Sequence, residues 1–69
     1  MVAMRASKAL ESAGYEVATR TLRVQFRTGR RYDYHGVPPE VYDGLRASAH
    51  PWTQWGEHIK AAYRVSPVD

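Results

Sequence analysis

Two short runs of alternating residues, set one tight turn apart, constrain this chain more than anything else in it. Residues 21–26 read TLRVQF: Leu22, Val24 and Phe26 fall on one side of an extended strand, with Arg23, Gln25 and then Arg27 on the other. Residues 30–35 read RRYDYH, with Tyr32 and Tyr34 on one side and Arg31, Asp33 and His35 on the other. Period-two alternation is the mark of a strand with one buried face. Gly29 lies between the runs and tolerates positive φ, so a hairpin follows. A three-residue loop, Arg27-Thr28-Gly29, sets Phe26 opposite Arg30, Val24 opposite Tyr32 and Leu22 opposite Tyr34. The two apolar faces then coincide, and a slip of one residue would separate them. The same register sets Arg23 opposite Asp33 on the solvent side.

The flanking segments extend this unit. Residues 9–16, ending in Gly14-Tyr15-Glu16, read as an earlier strand; the helix formers in AMRASKALES offer a helix over residues 2–12 as the competing reading. Pro38 and Pro39 cannot continue a central strand but suit the first turn of a helix, expected over residues 38–47 with Val41 and Leu45 on one face. Gly44 weakens that helix by about 1 kcal/mol relative to alanine. Pro51 opens a second helix, with Ser48 or His50 as cap and Trp52, Trp55 and Ile59 on one face. The predicted fold is α+β: a three-stranded antiparallel meander followed by two short helices packed on one sheet face, the other face being solvated. The first half-dozen residues and the last few, VSPVD, are expected to fray, because Pro67 and its polar neighbours argue against order.

At 69 residues the chain is one small domain. Such a domain buries only about 60% of its unfolded surface, so its large aromatics must supply much of the core. There is no cysteine. Disulfides, zinc knuckles and thiol chemistry are thereby excluded. No stretch is long enough to span a membrane or to serve as a secretion signal, and a cytoplasmic location is expected.

The formal charge of +3 is unevenly spread. Residues 20–31 hold Arg20, Arg23, Arg27, Arg30 and Arg31 and no acid, which is +5; the remainder has five basic and seven acidic residues, which is −2. Arginine makes bidentate phosphate contacts and stacks on planar groups. These five arginines, with His35 on the same strand face, are the candidate nucleic-acid contacts, set against the plainer reading of a solvated strand face. Tyr32 and Tyr34 have two readings: platforms for stacking bases, or core residues sharing parity with Leu22 and Val24.

Catalytic and metal signatures are missing. His50, Glu57 and His58 lack chelate spacing, and Glu40 with Asp43 reads as first-turn acids rather than a magnesium pair. No serine has a base set beside it and no glycine loop cradles phosphate. The expectation is a binding module without catalysis, metal or cofactor.

The ordered set Ser7, Leu10, Gly14-Tyr15, Thr21-Leu22, Val24, Phe26, Gly29, Tyr32-Asp33-Tyr34, Gly36-Val37-Pro38, Val41-Tyr42, Leu45, Ile59-Lys60 resembles the KTSC domain. That module occurs alone in bacterial and phage proteins and at the C-terminus of some lysyl-tRNA synthetases. Isoleucine is usual where this chain has Leu10. The family's Ser-x-Gly element, with its aromatics and asparagine, is replaced here by HPWTQWGEHIK, which keeps an aromatic at Trp55. The resemblance implies RNA binding, and together with the +5 segment it gives the expectation of weak nucleic-acid binding, to RNA before DNA, through the arginine-rich hairpin. The alternative partner is a protein, with Trp52 or Trp55 as anchor or a strand edge as dock.

Overall fold

The computed structural model describes residues 2–3 and 8–68. Its elements in chain order are β1 (Val2–Ala3), β2 (Leu10–Glu16), β3 (Thr21–Phe26), β4 (Arg31–His35), α1 (Pro39–Ala47), α2 (Pro51–Ala62) and β5 (Arg64–Val68). The strands form one antiparallel sheet in the order β1-β2-β3-β4-β5. Leu10–Glu16 is thus strand and not helix, one residue shorter than the expected 9–16. Ser7 and most of the first half-dozen residues lie outside the described residues.

The hairpin takes the register that its alternation dictates. Leu22 pairs with Tyr34, Arg23 with Asp33 and Val24 with Tyr32. The Phe26 amide donates to the Arg30 carbonyl at 2.8 Å, and Gly29, at φ 93°, donates to the Phe26 carbonyl at 2.9 Å.

The meander has more strands than the three expected. Four full strands and the two-residue β1 make up the sheet, because the C-terminal residues expected to fray instead form β5 against β4. Pro67 is accommodated in β5 because of its position. A proline is excluded from central strands but tolerated at an edge, where its missing N–H has no ladder bond to lose. Pro67 sits on an edge strand opposite Tyr32.

Both helices cover the face that carries Leu10, Ala13, Leu22, Val24 and Tyr34. Together with Val37, Val41, Leu45 and Ile59 these residues form the buried core. Pro39 opens α1 with Glu40 in its first turn and Arg46 in its last, the charge order that the helix dipole favours. The residue after it, the C-cap Ser48, is extended, which ends the helix. Pro51 opens α2, whose cap His50 makes no side-chain capping bond; Ser48 Oγ instead accepts the His50 amide at 3.1 Å. Val37, between β4 and α1, is strapped to the sheet twice. Its amide donates to the Arg20 carbonyl at 2.9 Å, and its carbonyl accepts the Tyr15 hydroxyl.

Candidate nucleic-acid interface

The five arginines of residues 20–31 do not make one patch. β3 separates them: Arg20 lies in the turn before it and Arg27, Arg30 and Arg31 lie in or beside the turn after it. Six residues of strand set the two turns roughly 20 Å apart. Arg23 stands between them on the solvated face, and there it is committed. Its Nε donates to Asp33 Oδ1 at 2.8 Å and its NH2 group to Oδ2 at 3.0 Å. That bidentate bond holds the Asp33 carboxyl below the usual carboxylate range against the opposing effect of burial, with smaller help from the charges of Arg23 and His35. The same bond raises the Arg23 guanidinium above its ordinary value.

The solvated sheet face as a whole is close to neutral. Register places Arg23, Arg31 and Arg64 there, and with them Glu16 and Asp33. Glu11 joins them by accepting from Gln25 Nε2 at 2.9 Å. Three guanidiniums therefore meet three carboxylates. His35 lies at the Arg20 end of this face, its Nε2 3.0 Å from Ser66 Oγ and its backbone opposite Arg64. An open depression of about 470 Å³ lies on the face, walled by Glu16, Thr19, Thr21, Arg23 and Asp33.

The concentration of positive charge is at the β3–β4 turn. Arg27, Arg30 and Arg31 are exposed there. The Arg27 amide donates to the Ala9 carbonyl at 3.0 Å, which brings exposed Lys8 to the same end. Arg30 and Arg31 make no ion pair among the described residues.

The tyrosines divide as well. Tyr34 is 4% exposed and belongs to the core. Its burial, and secondarily the neighbouring Tyr32, push its phenol above the ordinary value. Tyr32 is only half-buried, with its ring edge-to-face against Phe26 at 5.8 Å; Phe26 meets Trp52 in the same manner at 5.3 Å. Lys60 Nζ lies 5.7 Å from the Trp52 ring. A second aromatic pair, Tyr15 stacked on Tyr42 at 5.3 Å, sits apart and is capped by Arg46.

Sequence reasoning missed Lys8, Lys60 and Arg64 as neighbours of these groups. Arg64 was hidden by the expectation of a frayed end. Lys60 could have been suspected, since it lies eight residues beyond Trp52 and its long side chain reaches back along the helix.

The KTSC domain profile matches residues 6–63 of this chain. A protein of Tsukamurella paurometabola is 48% identical over 42 residues, which are 61% of this chain and 63% of that protein. An uncharacterized protein of Stutzerimonas stutzeri is 44% identical over 39 residues, 56% of this chain and 55% of its own length. The chain thus spans about three-fifths of the length of these bacterial relatives. The crystal structure of a KTSC domain protein from Yersinia pestis superposes with a TM-score of 0.84 at 25% identity, covering 91% of this chain and 89% of that one.

Proposed function

This chain belongs to the KTSC domain family, and from that premise we propose that it is a non-enzymatic module that binds nucleic acid weakly through the tip of its arginine-rich hairpin. The observation that carries the reading is the exposure of Arg27, Arg30 and Arg31 at one turn, with Lys8 beside them. Phosphate is the ligand chemistry that a cluster of exposed guanidiniums selects. Arg23 drops out of the contact set, because Asp33 already occupies one edge of its guanidinium. Arg20 and His35 drop out of the primary cluster because they stand at the opposite end of β3 and β4. RNA before DNA follows from the family resemblance, and both belong in the test.

The test is a titration of labelled single-stranded RNA, and of DNA of the same sequence, at several salt concentrations. Three or four phosphate contacts give a slope of log K against log salt of about −2 to −3. Replacing Arg30 and Arg31 together by alanine reduces that slope and leaves the melting temperature close to the parent's. A flat response into the high micromolar range overturns the proposal.

A further inference from the structure

We infer that the aromatic strip beside the hairpin tip, formed by Phe26, Tyr32 and Trp52 and continued onto β5 by Pro67 and Val65, receives unpaired bases, which makes the ligand single-stranded nucleic acid and not duplex. This rests on the nucleic-acid reading of the tip and adds to it the part of the ligand that the tip does not touch.

Strand register places Phe26, Tyr32, Tyr34, Val65 and Pro67 on the helix-facing side of the sheet. The helices bury Tyr34 but do not reach across the whole face. Phe26, Tyr32 and Trp52 remain half-buried, Pro67 is exposed and Val65 is 47% exposed. An apolar strip is left at this edge of a small domain.

Cations bound the strip on both sides. Arg30 follows the turn with the strand parity of Tyr32, and its carbonyl accepts the Phe26 amide. Lys60 lies on α2 within 5.7 Å of the Trp52 ring. Charge alternating with aromatic surface suits a chain of phosphates and bases, and a base offers a π-face whatever its identity.

Ring geometry distinguishes this cluster from the Tyr15–Tyr42 pair. Tyr15 and Tyr42 are nearly parallel, 15° apart, and stack on each other, with Arg46 over the Tyr42 ring. Their facing surfaces are consumed. Phe26 packs edge-to-face on its partners, at 70° to Tyr32 and 80° to Trp52. The Trp52 indole also meets Tyr34 at 6.1 Å, lies against Gly56 and has Lys60 over it, so the open ring surface is that of Phe26 and Tyr32. Edge-to-face contact uses less ring face than mutual stacking does. A duplex cannot exploit such a strip, because its bases are already paired and stacked.

The experiment follows the indole N–H signals of the full chain during titration with a single-stranded RNA 10-mer, a duplex of the same length and polyphosphate. Trp55, packed over Gly44 on the α1 side, is the internal control. Single-stranded RNA is expected to move the Trp52 signal and leave Trp55 in place; polyphosphate is expected to compete for the tip without moving Trp52. Tyr32→Ala is expected to weaken RNA binding at least about fivefold while polyphosphate affinity is unchanged. If that variant does not fold, Tyr32→Leu keeps apolar bulk without a ring and is read in the same way. A Trp52 signal unmoved at saturation, or a duplex bound as tightly as the single strand, overturns the strip and leaves the basic tip standing. Absence of binding by all three ligands overturns both.

Discussion

Gly44 of α1 lies directly under the indole of Trp55 of α2, so close that a Cβ at position 44 would overlap the ring, with Cη2 only 2.9 Å away. The glycine that looks like a flaw in an amphipathic helix is the point at which the two helices meet. Gly44→Ala gains about 1 kcal/mol of helix propensity. It also forces the indole out of its place, and overpacking of that kind costs about 1–3 kcal/mol. Denaturant unfolding should show a net loss of stability. The combination Gly44→Ala with Trp55→Leu should recover part of it, since the second change removes the ring that the methyl strikes.

Tyr34 occupies the centre of the covered sheet face, opposite Leu22. Tyr34→Ala should cost about 2–4 kcal/mol in chemical denaturation. A variant as stable as the parent would mean that the helices cover the other face.

Burial raises the Tyr34 phenol, which means that the fold favours its neutral form. The associated stability is complete below the ordinary phenol range, near about 10, and is lost as pH rises through the higher value of the folded state. Melting temperatures of the parent should fall on the alkaline side of that range, and Tyr34→Phe should fall less.

Asp33 has the opposite sign. Its carboxyl is held low by Arg23, so its contribution is present above the ordinary carboxylate range, near about 4, and is lost as pH falls below it. Asp33→Asn should flatten the acid limb of a stability–pH curve by lowering stability at neutral pH toward the value reached in acid.

Arg20 is the one described non-glycine residue with positive φ, at 54°. Its carbonyl is aimed at the Val37 amide, which accounts for the conformation. A left-handed residue with a Cβ carries a cost of about 1–2 kcal/mol that glycine avoids, and glycine in turn adds chain entropy to the unfolded state. Arg20→Gly should therefore leave stability unchanged or slightly higher. Because Arg20 stands far from the hairpin tip, RNA affinity should change less than in Arg30→Ala.

The strands and helices were legible because each rests on a local pattern. Alternation around Gly29 determined the β3–β4 register down to the Arg23–Asp33 pair, and Pro39 and Pro51 marked where the helices begin. β5 was not legible. Whether VSPV frays or pairs depends on an edge of β4 being left open for it, and residues 64–68 carry no local sign of that vacancy. The candidate site was half legible. Composition located the arginines on one segment, but charge counted along a chain takes no account of the strand that holds Arg20 away from Arg30, or of the carboxylates that neighbouring strands bring onto the same face. The sequence by itself determined which side chains share a strand face, because the backbone's period of two does not depend on context. Only the tertiary structure decided which of those faces is covered and which charges find partners, because both depend on contacts between segments distant along the chain.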